Sequence, residues 1–212
     1  MKRIHMALVL TMVLAVAAFV PMASASPVGL GTLELNAGYA KSSSEVGTST
    51  ESMGGGMTFG AAYWRSMSPS VSWGAEVSYD NVGTADASYY DALTATTYHE
   101  EFSTKMLRFA PSIRMNFGAP VGPSFFAQGG VGLYNASWDY SYDDGVTVAK
   151  TDGSDSNIGF NVGAGVGFPV GPKTKLNFSG NYHIVPGVEE NNVKLTDNTN
   201  YLQFRAGIGF GL

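Results

Sequence analysis

Leu202-Gln203-Phe204-Arg205-Ala206-Gly207-Ile208-Gly209-Phe210-Gly211-Leu212 is the stretch whose reading decides the fold. Leu202, Phe204, Ala206, Ile208, Phe210 and Leu212 are apolar, and every residue between them is Gln, Arg or Gly. Successive side chains of a strand point to opposite faces, so this period of two predicts a strand with one greasy side and one small or polar side. The same form recurs as Ile158, Phe160, Val162, Ala164, Val166 and Phe168 against Asn157, Asn161 and four glycines.

Six more strands follow from the same pattern: Leu33 to Tyr39, Met57 to Arg65, Val71 to Asp80, Tyr98 to Phe117, Phe125 to Asn135 and Lys175 to Ile184. In the third of these, Val71, Trp73, Ala75, Val77 and Tyr79 oppose Ser72, Gly74, Glu76, Ser78 and Asp80. The expected total is eight. Short connections, Ser66 to Ser70, Gly118 to Pro123 and Pro169 to Pro172, carry the Pro and Gly of tight turns. Pro-Val-Gly-Pro occurs at Pro120 and again at Pro169, marking a repeated hairpin. The remaining connections, Ala40 to Gly56, Asn81 to Thr97, Ala136 to Ser156 and Val185 to Asn200, are long, polar and acidic. Strict alternation of long and short places all long loops at one end, the layout of a membrane-spanning antiparallel barrel.

Alternation does not say which face is inside. A soluble barrel lining a ligand cavity with its apolar face is the rival. It would turn a glycine-rich face to water, where glycine weakens a strand and adds no packing. Glycine is abundant, 27 of 212 residues, against a usual share of about 7%, and inside a narrow barrel these small residues leave room for long polar ones. Glu34, Glu76, Arg108, Arg114 and Arg205 all fall on the non-apolar face, where they can pair as a luminal charge network. Tyr39, Tyr79, Tyr98, Tyr134, Tyr182 and Tyr201 fall near the long loops, and Trp64, Trp73, Phe117, Phe125, Phe168 and Phe210 near the short turns. These are expected to form two aromatic girdles at the lipid interfaces. The apolar face is therefore read as facing hydrocarbon, where closure satisfies every backbone hydrogen bond. Pro111 lies within the fourth strand, where it should force a bulge or irregular pairing. Lys105 shares the lipid-side parity but lies 12 residues above Phe117, roughly 40 Å of strand, so it is expected near the headgroups.

The first residues have a different logic. Lys2 and Arg3 precede an apolar run from Met6 to Val20, and small residues end in Ala23-Ser24-Ala25. This is the layout of a secretory signal peptide, with cleavage expected after Ala25 and a barrel domain from 26 to 212. The apolar run is short for a membrane anchor, which wants about 20 residues. Removing Lys2 and Arg3 takes the 12 basic residues to 10, against 17 acidic ones, a formal charge of −7. That charge argues against nucleic-acid binding. The absence of cysteine excludes disulfides and thiolate metal sites.

These residues resemble the OmpA-type and OmpX-type eight-stranded barrels, grouped as the outer-membrane β-barrel domain family. The resemblance spans everything after the signal peptide. Its most specific element is the terminal strand, where Arg205, Gly207, Phe210 and Leu212 stand at the positions of the signal that the barrel assembly machinery reads. The final Leu departs from the commoner Phe. The resemblance implies a bacterial outer-membrane location, the lipid bilayer and lipopolysaccharide as surroundings, and no cofactor. The eighth strand ends the sequence, so the peptidoglycan-binding domain of OmpA is not expected.

Chemistry is sparse. Beyond His5, the histidines are His99 and His183. Relatives that act on lipid A use a surface His with Ser and an acid, but Asn181-Tyr182-His183-Ile184-Val185 lacks the expected His-x-Ser-Asn arrangement, and His183 reads as a hydrogen-bonded interface residue. Asp139, Asp143, Asp144, Asp152 and Asp155 invite a divalent-cation reading. The segment Asp152 to Asn157 lacks the twelfth-position Glu of a calcium loop, so a solvated acidic loop is preferred. Eight strands enclose a lumen just wide enough for side chains, which favours a salt-bridged plug over a pore. The expectation is a non-enzymatic barrel serving surface structure, envelope integrity or adhesion to an unnamed extracellular ligand. A narrow porin-like channel is the alternative, and a lipid A-modifying enzyme the third.

Overall fold

The computed structural model describes residues 31–42, 54–91, 96–118, 122–143, 145–186, 189–190, 193–194 and 198–212. Residues 1–30, where a signal peptide is expected, Asp144 and Pro120 lie outside the described residues. The strands are β1 (Thr32–Ser42), β2 (Gly55–Ser66), β3 (Val71–Asp91), β4 (Thr96–Gly118), β5 (Ser124–Asp143), β6 (Val148–Gly171), β7 (Thr174–Pro186), β8 (Glu189–Glu190), β9 (Val193–Lys194) and β10 (Asn198–Gly211). Eight of them close into a ring in the order β1-β10-β7-β6-β5-β4-β3-β2, while β8 and β9 pair only with each other. All pairings are antiparallel. The ring shuts where β1 meets β10, from Thr32 opposite Gly211 to Ser42 opposite Tyr201. Closure leaves the ring no unpaired edge, which hydrocarbon requires.

The outward face is the greasy one. Leu35, Phe59, Ile113, Leu133, Val162 and Phe204 are all exposed, whereas Glu76, Arg108 and Gln203 are buried. The inward glycines make room as expected: a Cβ on Gly163 would sit 2.1 Å from the Asn181 carboxamide, and one on Gly165 would sit 2.3 Å from the Phe126 ring.

The strands are of two lengths. β1, β2, β7 and β10 have 11 to 14 residues, while β3 to β6 have 20 to 24. The stretches Asn81 to Thr97 and Ala136 to Ser156 are therefore not loops for most of their length. The β3–β4 ladder continues to Asp91 opposite Thr96, and the β5–β6 ladder to Asp143 opposite Val148. Four strands thus rise as one sheet above one side of the ring. Reading strands by their apolar outward residues ends them where the lipid ends, not where the hydrogen bonding ends.

Two local irregularities matter. Pro111 causes no register shift: Phe109 faces Leu133 and Ser112 faces Gly130 in one continuous register, and only the pairs at 110 and 111 are missing from the β4–β5 ladder. The missing proline donor removes bonds on one side, and the small Gly130 and Gly132 opposite let the strands stay close. A register shift does lie in β3, between Asn81 and Gly83, and another in β6, between Pro169 and Gly171. In β3 Val82 is the extra residue, and Gly83 adopts φ of 144°, a conformation that side chains disfavour.

Candidate functional site

The interior of the ring is a polar core in two tiers. At its centre Glu76 of β3 receives two guanidinium groups. Arg205 of β10 donates through Nη1 at 2.5 Å and Nη2 at 3.2 Å, and Arg108 of β4 pairs with the same carboxylate through Nη2. Arg108 Nε donates to Ser78 Oγ at 3.1 Å and lies 4.0 Å from Asp80 Oδ2. Asp80 accepts from Tyr201 Oη at 2.8 Å, Gln203 Nε2 at 2.7 Å and Ser78 Oγ at 3.1 Å, and from Thr58 Oγ1.

Toward the short-turn end lies the second tier. Arg114 Nη1 donates to Glu34 Oε2 at 2.8 Å, and Asn177 Nδ2 donates to the same oxygen at 3.0 Å. Arg114 also donates to Gln128 Oε1 through Nε at 3.1 Å and Nη2 at 2.9 Å. Its guanidinium lies 4.0 Å from the Trp64 ring and 4.2 Å from the Phe126 ring, a geometry in which flat cation and ring faces attract.

All five charged residues singled out by parity thus line the lumen, three in the Glu76–Arg108 and Glu76–Arg205 contacts and two in the Arg114–Glu34 pair. The expected charge network left out Asp80, although parity places it on the luminal face. Its signal was available, since it sits four residues beyond Glu76 on the same face. With Asp80 the acids Glu34, Glu76 and Asp80 match the bases Arg108, Arg114 and Arg205 in number, all buried.

Three of the expected girdle aromatics belong to this interior instead. Trp64, Tyr134 and Tyr201 are at most 4% exposed. Trp64 follows the outward Tyr63 by one residue and so takes the opposite face. Tyr39, Tyr79, Tyr182, Trp73, Phe117, Phe125, Phe168 and Phe210 do face outward. Tyr98 lies above both girdles, on the raised sheet, where it stacks with its β3 partner Tyr89.

His183 is buried, with both ring nitrogens engaged. Nδ1 lies 3.1 Å from Tyr134 Oη, and Nε2 lies 3.2 Å from Gln203 Oε1. Gln203 uses its amide nitrogen on Thr58 and Asp80, so its oxygen accepts, Nε2 of the histidine donates and Nδ1 accepts from the tyrosine. The ring also stacks on Tyr201, centroids 4.3 Å apart. Such a neutral imidazole is committed to packing. Above it, toward the long-loop end, Ala40, Val82, Met106, Ala136 and Val185 close over Tyr134 and Tyr201 as an apolar layer. Buried side chains thus occupy the lumen in an apolar layer over two polar tiers.

His99 lies outside, on the raised sheet, 2.8 Å from Ser88 Oγ. Lys105 pairs with Asp139 at 2.8 Å, both partly exposed, and that hydrogen bond holds its ammonium above the ordinary lysine range. Asp155 accepts from the Ser156 amide and from Asn157 Nδ2, and Asp143 accepts from the Gly145 amide. Among the described residues no group of three acids or histidines is gathered for a metal ion.

The fold is similar to that of Neisserial surface protein A, with a TM-score of 0.53 at 15% identity over 86% of this chain and 97% of that one. The N-terminal β-barrel domain of Pseudomonas aeruginosa OprF matches with a TM-score of 0.47 at 15% identity, over 86% of this chain and 99% of that one. The attachment invasion locus protein Ail of Yersinia pestis gives 0.43 at 16%, over the same shares. At 15% identity the likeness to the Neisserial protein speaks for the fold alone. No curated protein matches the chain in sequence. The sequence model described as the outer membrane protein beta-barrel domain matches residues 6–210. With its greasy exterior, closed ring and buried polar interior, the chain belongs to the outer membrane protein beta-barrel domain family and resides in the bacterial outer membrane.

Proposed function

We propose that the protein is a non-enzymatic, non-conducting barrel whose ring is a rigid stalk for the sheet it raises outside the cell, serving surface structure, envelope integrity or adhesion. The single observation carrying this reading is the apolar layer buried across the lumen above a charge network of matched acids and bases, which supports a closed interior. In this reading Glu34, Glu76, Arg108, Arg114 and Arg205 are structural. Buried charges hold one another when paired and cost several kcal/mol when left alone. Lipopolysaccharide surrounds the outer rim. The barrel assembly machinery reads Arg205, Gly207, Phe210 and Leu212, after export and cleavage behind Ala23-Ser24-Ala25.

Planar-bilayer recording on detergent-purified protein tests the closure. Absence of stepwise current is expected, and reproducible unit conductance would replace the stalk with the channel reading. The enzymatic reading has one observation in its favour, the Ser88–His99 contact. That pair lies on the open outward face, and the cross-strand Asp143 is already engaged by the Gly145 amide. Mass spectrometry of lipid A from cells with and without the protein is expected to show identical species.

A further inference from the structure

Above the ring the raised sheet reverses its two faces. Within the membrane the outward residues of β4, β5 and β6 are apolar, among them Phe109, Leu133 and Ile158. Above it they become Ser103, Glu101 and His99 on β4, Asp139 and Asp143 on β5, and Ser154 and Asp152 on β6. The inward face changes in the opposite sense. It carries Tyr89 of β3, Tyr98 and Phe102 of β4, and Trp138, Tyr140 and Tyr142 of β5, spaced by Ala85, Ala149 and Gly153.

The rings form a platform, three of them in mutual contact. Tyr89 and Tyr98 stack with centroids 4.9 Å apart and planes 18° apart, and Tyr98 lies 5.8 Å from Tyr142. Trp138 lies flat across Gly153, where a Cβ would come within 2.3 Å of the indole. Glu100 stands among the rings and shares a side-chain hydrogen bond with Tyr140. Tyr89 remains 50% exposed. The platform overlooks the barrel mouth, because β1, β2, β7 and β10 end well below the tops of β3 to β6.

We infer that this platform binds a neutral oligosaccharide presented from outside the cell. The inference rests on the proposed reading of the raised sheet as a surface-exposed device, and it names that device's partner class. Sugar rings present C–H faces with partial positive charge, which match the negative faces of aromatic rings. Their hydroxyls match the Tyr rims and the Glu100 carboxylate. Large aliphatic side chains, the usual filling of a protein–protein pocket, do not occur on this face between Ala85 and Gly153. Charge decides between glycan classes: Glu100 stands on the platform itself, Glu101, Asp86 and Asp152 lie behind it on the outward face of the same sheet, and together they repel sulfated or carboxylated sugars. Position decides the source. The surrounding lipopolysaccharide meets the outward face, whereas this platform looks inward over the mouth and meets a ligand arriving along the barrel axis.

The full-length protein in detergent, applied to an array of neutral and sulfated oligosaccharides, tests the inference. Binding to neutral hexose-containing glycans is expected. Tyr98→Ala and Tyr142→Ala should each weaken it about tenfold, the loss of one ring contact. Tyr90→Ala, on the outward face and 64% exposed, should leave it unchanged. Heat-modifiability gels on each variant report that the barrel has folded. Absence of glycan binding, preference for sulfated sugars, or equal loss in Tyr90→Ala would overturn the inference. A peptide tag at Gly145 detected on intact cells, with a closed lumen in bilayers, keeps the stalk reading standing if the array fails.

Discussion

The same four strands, β3 to β6, pass through two solvents and obey opposite rules in them. Below the level of Tyr79 and Lys105 they turn Val, Leu, Ile and Phe outward and Glu, Arg and Gln inward. Above it they turn Asp, Glu, Ser and His outward and aromatic rings inward. Hydrocarbon on the outside selects the first arrangement, because a lone polar group there has no partner. Water selects the second, in which one sheet face is solvated and the apolar face is turned away. Facing the barrel axis therefore means opposite chemistry in the two halves.

The largest effect expected from breaking this contrast is in the lower half. Glu76→Ala leaves Arg108 and Arg205 buried without their shared carboxylate, a loss of about 3–5 kcal/mol. Urea titration of the folded band on unboiled gels should show a markedly lower midpoint. Arg108→Ala should move it the same way, and an unchanged midpoint in both would remove the charge network from the stability of the ring.

Charge placed on the outward face should discriminate the halves directly. Val162→Arg, in the membrane half, should cost about 2–4 kcal/mol. Ser154→Arg, eight residues up the same face of β6, should be close to neutral in the same titration. Equal costs would place the lipid boundary elsewhere.

Inserting one alanine between Thr84 and Ala85, above the β3 bulge, adds a residue that the bulge does not absorb and so reverses the parity of the β3 residues above it. Tyr89 should then turn toward the outward side and leave its stack with Tyr98. The expected outcome is faster proteolysis of the raised sheet, with heat-modifiability of the ring retained. The smallest effect belongs to the boundary pair: Lys105→Ala or Asp139→Asn should change stability by less than about 1 kcal/mol, because the pair is half in water. The folded state holds Lys105 above the ordinary lysine value of 10.5, so this contribution is complete below that pH and fades as alkali titrates the ammonium. A pH series above neutrality should flatten the difference between wild type and Lys105→Ala.

Strand parity made most of the ring legible in the amino-acid sequence. A period of two has a single geometric meaning, and hydrocarbon enforces it residue by residue, so the eight strands, the orientation of Ile208 and Phe210, and the luminal placement of Glu34, Glu76, Arg108, Arg114 and Arg205 follow from Leu202 to Leu212 and its repeats. Parity also held the error at Trp64, where an aromatic near a turn was assigned to a girdle although its neighbour Tyr63 already occupied the outward face. Tertiary structure decided what parity does not encode. Pairing across the ring set Asp80 beside Arg108, Tyr201 and Gln203, contacts between residues up to 123 positions apart. One inserted residue, Val82, turned the upper half of β3 over, and continued hydrogen bonding carried four strands beyond the lipid. Both depend on which backbone groups meet across the ladder, and a lone strand carries no record of its partner.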